Sequence, residues 1–178
     1  MFRAARHVQD RLCQHEPGWG FCAAACDSWA PATAIINSLF AANIATVVSS
    51  GNNGFNGSIS APACISKAVA VGSTTKTDGI SSFLQPCQLV DLMAPGENIT
   101  AAYPGDLYKP VSGTSMAAPH VAGAFAILKQ AKPTATVTEI QTALACTGKK
   151  LTRAGITKPR IDVLAALNVI RSPATGCN

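Results

Sequence analysis

One short segment of the sequence combines a serine with the surroundings that nucleophilic chemistry requires. It spans residues 112–123 and reads Ser-Gly-Thr-Ser-Met-Ala-Ala-Pro-His-Val-Ala-Gly. Ser115 lies in a turn of small residues that opens a predicted helix, whose first turn presents unpaired N–H groups and a partial positive charge. Those groups would stabilise an oxyanion, and Gly113 would let a substrate approach closely. Because serine is also a common N-cap residue, the turn on its own favours a capping role for Ser115.

A serine hydroxyl becomes a nucleophile when a base takes its proton and a carboxylate orients that base. His120 follows Ser115 by five residues in the same predicted helix. This spacing places it about 140° around the axis and about 7.5 Å along it, so the two side chains diverge. His7 and His15 precede Ser115, but they lie in a segment without helical or strand periodicity. We therefore predict that none of the three histidines is the base.

A second serine pattern points to a different chemistry. Ser73-Thr-Thr-Lys76 satisfies the S-x-x-K pattern of β-lactamases and penicillin-binding proteins. The partner strings of those enzymes, S-D-N and K-T-G, do not occur in the chain. A strand that ends in a polar turn is the favoured interpretation of this segment.

The remaining pattern predicts an α/β protein. Short apolar runs closed by turns of small or polar residues predict buried strands at 44–48, 68–71 and 89–93. Helical periodicity begins at Pro31 and returns after Gly113. The later predicted helices are 116–132, 136–146 and 161–171, the second of which opens with a Thr136…Glu139 capping box. Buried strands between helices favour a doubly wound, mostly parallel sheet over a sandwich.

The whole of segment 112–123 resembles the nucleophile motif of the subtilisin-like serine proteases (subtilases), G-T-S-M-[AS]-x-P-H-V-[AS]-G, at every fixed position. Upstream, Thr46-Val-Val-Ser-Ser-Gly-Asn-Asn-Gly54 resembles the family's strand and loop that carry the oxyanion-hole asparagine. Further similar segments are Ala61-Pro-Ala-Cys64 with the strand up to Gly72, Asp91-Leu-Met-Ala-Pro-Gly96, and Arg160-Ile-Asp-Val-Leu-Ala-Ala166. The resemblance covers roughly residues 30–170.

The resemblance assigns roles to individual residues. It implies that Ser115 is the nucleophile and Asn52 the side-chain donor to the oxyanion. The backbone N–H of Ser115 would be the second donor, with Thr114 as a weaker supporting candidate. The implied edge along which an extended peptide lies is Ser49, Ser50 and Gly51, and the turn at Ala61 and Pro62 would border the pocket for the residue before the scissile bond.

The family's aspartate, histidine and substrate-cleft strand have no counterpart in the sequence. Their strings, D-[ST]-G, H-G-T-H and S-x-G-G, do not occur. We therefore predict a partial subtilisin-like sheet without its N-terminal strands: a peptidase portion at 27–172, residues 1–26 outside the family pattern, and a tail at 173–178. The predicted function is a serine endopeptidase that forms an acyl-enzyme at Ser115, and the alternative is an inactive remnant or an interaction module. We expect no proteolysis from these 178 residues alone.

Composition excludes several other classes of protein. The chain has 178 residues, of which 48% are hydrophobic and 13% charged, which excludes intrinsic disorder. No apolar run reaches the ~18 residues of a membrane-spanning helix. The net charge of +5 arises in the last third, but its basic residues are scattered without interleaved aromatic residues, so no nucleic-acid partner is predicted. The expected partner is a polypeptide substrate, with no cofactor and no metal ion.

The seven cysteines allow two interpretations. Four of them, Cys64, Cys87, Cys146 and Cys177, are widely spaced, as in proteins that form disulfides in an oxidising compartment. Cys64 could pair with Cys87, with Cys146 or with Cys26. Alternatively, the crowded residues near the N-terminus could bind zinc: Cys13, His15, Cys22 and Cys26. The family resemblance implies secretion, although no signal peptide is visible in the sequence.

Overall fold

A five-stranded sheet, most of whose strands are parallel, forms the centre of the fold. The computed structural model describes residues 13–14, 21–54, 57–84, 87–172 and 177. In chain order its strands are β1 (Cys13–Gln14), β2 (Phe21–Cys22), β3 (Thr46–Ser49), β4 (Ile59–Ser60), β5 (Ala68–Thr74), β6 (Leu92–Pro95), β7 (Ile99–Tyr103), β8 (Leu107–Val111), β9 (Lys149–Arg153) and β10 (Ile156–Arg160). The helices are α1 (Ala30–Ala41), α2 (Thr114–Ala131), α3 (Val137–Thr147) and α4 (Val163–Arg171).

The order of the large sheet is β3-β5-β6-β10-β9. The β10–β9 pair is antiparallel, whereas the other three pairs are parallel. Two smaller sheets, β1-β2-β4 and β7-β8, are antiparallel. The predicted α/β class with a mainly parallel sheet is confirmed.

Strand β5 separates the two halves of the core. All seven of its residues are buried, as expected for a parallel strand covered on both faces. Because side chains alternate along a strand, Val69 and Val71 belong to the apolar cluster that also contains residues of α2, α3 and α4, while Ala68 and Ala70 belong to a second apolar cluster. Helix α1 contributes Ile36 to the second cluster.

The predicted helices are present, with shifted ends. Helix α3 has the capping box: the Thr136 hydroxyl accepts from Glu139 N at 3.1 Å, and the Glu139 carboxylate accepts from Thr136 N at 2.7 Å. Helix α4 begins two residues later than predicted, because Asp162 is its N-cap and accepts from Ala165 N at 2.9 Å. No helix in the described ranges is both long and apolar enough to cross a membrane.

The strand predicted at 89–93 lies later in the chain. Val90 N donates to Cys87 O, so this part of the chain forms a turn, and pairing with β5 begins with Leu92 opposite Val71. Val90 is one of the apolar residues on which the strand prediction rests, and its side chain is buried although it lies in this turn.

Two hairpins were not predicted from the sequence. In the β9–β10 hairpin the two loop residues, Ala154 and Gly155, both have positive φ, as in a type I′ turn. An Ala-Gly pair lacks the Asn-Gly or Asp-Gly signal of that turn. The β7–β8 hairpin is largely exposed, so it has no buried apolar face to mark its strands.

Five of the described cysteines are bonded in disulfides. Cys26 is bonded to Cys64 and Cys146 to Cys177, and Cys22 is also disulfide-bonded. Cys87 is buried and has a free thiol. Of the three predicted partners of Cys64, Cys26 is therefore correct, and Cys87 and Cys146 are wrong.

Candidate active site

The end of β3 brings the loop with Asn52 against the turn after β4. Ser50 N donates to Val71 O at 3.0 Å, and Ser60 N donates to Ser50 O at 2.9 Å. Gly51 has a φ of 103°, and a Cβ there would collide with the Ser60 hydroxyl, so both its conformation and its surroundings require glycine. Ser60, which was not predicted as a site residue, thus fixes the path of this loop.

The predicted site residues in these two loops differ in exposure. Ser50 is buried, and Ser49 and Gly51 are half-buried. Ala61 and Pro62 are also half-buried and directly follow Ser60. The structure therefore brings the predicted peptide edge and the predicted pocket border together through the contact between Gly51 and Ser60. Ser60 directly precedes Ala61, a predicted site residue, and this position in the sequence could have identified it as part of the site.

The turn before α2 is held against the end of β6. Gly113 N donates to Gly96 O at 2.7 Å. A Cβ on Gly96 would lie 2.7 Å from Gly113 O, so glycine is required for this close approach. A Cβ on Gly113 would lie 3.2 Å from Asn52 Nδ2, which shows how closely the Asn52 amide lies against the turn. The D-x-x-A-P-G segment therefore positions the serine turn.

The Asn52 side chain is oriented by Thr114. Asn52 Oδ1 accepts from Thr114 N at 2.8 Å and from Thr114 Oγ1 at 3.0 Å. Thr114 is fully buried, and its hydroxyl also accepts from Gly51 N at 3.2 Å. A backbone N–H can only donate, so the bond from Thr114 N identifies the Asn52 oxygen and directs the Nδ2 donors elsewhere.

Ser115 is the second residue of α2, and its side chain is exposed. The N-cap of the helix is Gly113, without a side-chain cap, so the capping role that the turn alone favours for Ser115 is wrong. The N–H groups of the flanking residues donate to Asn52 Oδ1 and to Gly113 O. Within the part of the chain that the structure describes, the Ser115 N–H has no acceptor. It is therefore available as a donor next to the Ser115 hydroxyl.

The described residues bring no histidine to Ser115. His120 is the one histidine in the described ranges, and its Nδ1 lies 2.8 Å from Met116 O of its own helix. This contact gives His120 a structural role within its own helix. His7 and His15 lie outside the described residues.

Three of the aspartates have structural partners. Asp27 accepts from Ser66 N and Oγ at 2.8 and 2.6 Å, and Asp91 accepts from Ala70 N at 2.7 Å. Burial raises the pKa of Asp91, against the lowering effect of the hydrogen bond from Ala70. Hydrogen bonds from Arg160 and Lys149 lower the pKa of Asp78. None of these described carboxylates orients a histidine.

Two other candidate sites are not formed. Ser73 is fully buried with its hydroxyl 2.8 Å from that of Ser81, whereas Lys76 is exposed, so the S-x-x-K pair does not meet as a nucleophile and base. The zinc set of Cys13, His15, Cys22 and Cys26 is not available as predicted, because Cys26 is bonded to Cys64. His15 lies outside the described residues.

An exposed serine at the start of a helix, beside a fixed amide donor and at the edge of a parallel sheet, is typical of α/β serine hydrolases. The subtilase family model matches residues 17–159, so the chain belongs to the subtilase family. It is 42% identical over 116 residues to Subtilisin Savinase of Lederbergia lenta, covering 65% of this chain and 43% of that protein. It is 53% identical over 81 residues to the subtilisin-like serine protease Pen ch 13.0101 of Penicillium rubens, covering 46% and 20%.

Solved structures agree with this assignment. A protease from Pseudoalteromonas arctica PAMC 21717 superposes with a TM-score of 0.74 at 28% identity, covering 85% of this chain and 49% of that one. The protein spans less than half the length of each of these relatives.

Proposed function

We propose that the chain carries the nucleophile and the oxyanion donors of a subtilisin-like serine endopeptidase. Ser115 Oγ would attack the scissile carbonyl of a polypeptide and form an acyl-enzyme. The observation that carries this proposal is the pair of hydrogen bonds from Thr114 to Asn52 Oδ1, because it leaves Asn52 Nδ2 free to donate. The unpaired N–H of Ser115 supplies a second donor, and two donors are what a tetrahedral oxyanion requires.

The polypeptide substrate would extend along the end of β3. Ser50 N–H points to β5, so by alternation the main-chain groups of Ser49 point to the opposite side. Those groups can pair with an extended peptide, which is the usual way that a strand edge binds a chain. Ser60 lies against Gly51, and the turn formed by Ser60, Ala61 and Pro62 would border the pocket for the residue before the scissile bond.

These 178 residues would not complete the reaction by themselves. A general base must lie within hydrogen-bond reach of the serine, and His120 contacts its own helix instead. The base and its orienting aspartate would come from the parts of the subtilase domain that these residues do not include. The disulfides Cys26–Cys64 and Cys146–Cys177 support secretion into an oxidising compartment.

A grafted enzyme tests the proposal. Residues 27–172 are joined to the part of Subtilisin Savinase that lies upstream of its matched segment, and the product is treated with a fluorophosphonate and with peptide substrates. We expect covalent labelling at Ser115 together with peptide hydrolysis, and the loss of both in the Ser115→Ala variant. Ser112→Ala is the matched control: the exposed hydroxyl of Ser112, in the same turn, accepts only from Asn98 N at 2.9 Å, so its loss should leave the labelling of Ser115 in place. A folded graft that is never labelled at Ser115 would contradict the proposal.

The second candidate function is an inactive remnant or interaction module. The observation in its favour is the lack of a base near Ser115 among the described residues. The two functions differ in the graft: an intact nucleophile site regains hydrolysis when the upstream part is supplied, whereas a degenerate site does not.

A further inference from the structure

Strand β9 forms one edge of the large sheet. Among the described strands it pairs with β10 alone, so its other side has no strand beside it. All of its residues except Leu151 are exposed or half-buried. An edge strand with free main-chain groups can accept a further strand from another chain. The outward groups of β9 and the charges around them therefore define the kind of chain that fits.

The register of the β9–β10 hairpin identifies the outward main-chain groups. Hydrogen-bonded and non-bonded residue pairs alternate along an antiparallel ladder, and a two-residue turn is closed by a bonded pair, here with Arg153. The next pair, Thr152 with Thr157, is therefore non-bonded. Lys150 is also in a non-bonded pair, because it lies opposite Pro159, which has no N–H. The N–H and C=O groups of Lys150 and Thr152 thus point to the open side.

The side chains of this hairpin carry an excess of positive charge. Its strands contain no acidic residue and five basic ones: Lys149, Lys150, Arg153, Lys158 and Arg160. Two of these share the carboxylate of Asp78. The other three donate to main-chain carbonyl oxygens, and in the described ranges none of them forms an ion pair. The carboxylate of Asp91 acts on Lys158 from beyond ion-pair distance.

This charge selects among the chains that could pair with the edge. Two copies of β9 would bring their lysines together, and like charges on adjacent strands are destabilising. An extended segment with acidic side chains would instead place opposite charges across the new strand pair. The edge therefore favours an acidic partner over a second copy of this chain.

We propose that the outer edge of β9 binds an acidic, extended polypeptide segment of a partner protein, which adds to the large sheet as a further strand. The main-chain groups of Lys150 and Thr152 would form the hydrogen bonds, and the surrounding cations would select acidic side chains. Strand β9 and strand β3, which leads to Asn52, lie at opposite edges of the sheet. The proposal therefore does not depend on catalysis at Ser115.

Fluorescence anisotropy tests the site with a labelled peptide of alternating glutamate and valine. The peptide is added to the full 178-residue protein and, in parallel, to the grafted enzyme, which contains the same hairpin. We expect saturable binding that weakens as the salt concentration rises, because exposed charges are screened. A peptide of alternating lysine and valine should not bind. A peptide of alternating glutamate and proline keeps the charge but lacks donors for a strand pair, so it should bind much more weakly.

Variants at one residue separate strand pairing from simple charge attraction. Thr152→Pro removes an outward N–H and should weaken binding by roughly tenfold or more. Thr152→Val is the matched control: it removes only the hydroxyl, which lies 2.7 Å from that of Thr157, and should leave the affinity unchanged.

A second pair of variants tests the charge. Lys150→Gln should weaken binding roughly two- to fivefold, since exposed charge pairs contribute little individually. Lys109→Gln, at an exposed lysine of β8, should have no effect. Val47→Pro blocks the open edge of β3 and should leave binding unchanged, because the peptide is expected at β9.

Three results would overturn the proposal. The first is a protein that keeps its near-ultraviolet circular dichroism, in either form, but does not bind the glutamate–valine peptide. The second is equal affinity for the glutamate–proline peptide, or equal affinity of the Thr152→Pro and Thr152→Val variants, since either result would show contact with a polyanion without strand addition. The third is self-association that Thr152→Pro abolishes in sedimentation experiments, which would assign the edge to a second copy.

Discussion

Asn52 Oδ1 accepts two hydrogen bonds from Thr114, one from its backbone N–H and one from its hydroxyl. The hydroxyl accepts in turn from Gly51 N, so three consecutive polar contacts join the end of β3 to the start of α2. This arrangement fixes the Asn52 amide before any substrate is present. It therefore links the packing of two elements to the direction of the proposed oxyanion donor.

Removal of the Thr114 hydroxyl should loosen the Asn52 amide. In the grafted enzyme, we expect Thr114→Val to lower kcat roughly three- to tenfold with little change in KM, since one hydrogen bond contributes about 0.5–1.5 kcal/mol. Thr114→Ser keeps the hydroxyl and should retain the activity. Steady-state kinetics on one peptide measure both variants, and equal losses in both would show that the hydroxyl does not orient Asn52.

Replacement of Asn52 by aspartate separates the two roles proposed for its side chain, which are to accept hydrogen bonds from Thr114 and to donate one to the oxyanion. Asn52→Asp keeps an oxygen for both bonds from Thr114 but removes the Nδ2 donor, so folding should be retained while kcat falls. The expected decrease in kcat is about 10²- to 10³-fold, a magnitude already known for the loss of this donor in a subtilisin. Asn53→Ala, at the exposed neighbouring residue, is the control. An active Asn52→Asp enzyme would rule out the oxyanion role.

Ser115→Ala should leave stability unchanged. The Ser115 hydroxyl is exposed and does not cap α2, so we expect a change within about 0.5 kcal/mol in the free energy of unfolding. Thr136→Ala, which removes a true N-cap, should cost about 1 kcal/mol. Urea denaturation measures both, and a loss for Ser115→Ala equal to that for Thr136→Ala would restore the capping role.

The ion pairs of Asp78 predict acid sensitivity. Hydrogen bonds from Arg160, at 2.7 and 2.9 Å, and from Lys149, at 2.9 Å, lower the pKa of Asp78 below its ordinary value of 3.8. A carboxyl whose pKa is lower in the folded state stabilises the protein above its unfolded pKa, and this contribution is lost as the pH falls through the folded pKa. Stability should therefore decline below about pH 4.

Asp78→Asn should flatten that decline. Asparagine tolerates the φ of 66° found at Asp78, so the turn is kept while the titrating group is lost. Urea midpoints measured between pH 5 and pH 2 compare the two proteins. Parallel declines in both would assign the acid sensitivity to other groups.

The outer edge of β3 should cause self-association. Among the described strands β3 pairs with β5 alone. Because the main-chain groups of successive residues in a strand point to alternate sides, the Val47 N–H points away from β5. An open edge can pair with another chain, so we expect the 178-residue protein to aggregate. Val47→Pro removes an outward N–H and should reduce light scattering, whereas Val48→Pro, which removes an inward N–H, should unfold the protein. A monomeric wild-type protein with cooperative melting would contradict this expectation.

The sequence predicted those parts of the fold that local chemistry determines. The capping box at Thr136 and the buried run of β5 are such features, since neighbouring residues are sufficient to specify them. The serine turn was identified by its family motif, whereas its local pattern alone favoured an N-cap.

Contacts between distant segments could not be predicted in the same way. The approach of Ser60 to Gly51 and the choice of Cys26 over Cys87 as the partner of Cys64 depend on how β2, β3 and β4 pack together. The Ala154-Gly155 turn was missed because its positive φ values are imposed by the pairing of β9 with β10 rather than by the residue types usual in such turns.

The most direct test of the central claim is a crystal structure of the grafted enzyme after reaction with a fluorophosphonate. We predict a covalent bond from phosphorus to Ser115 Oγ, with the phosphoryl oxygen within hydrogen-bond distance of both Asn52 Nδ2 and Ser115 N. An adduct on another residue, or a phosphoryl oxygen that contacts neither donor, would contradict the account.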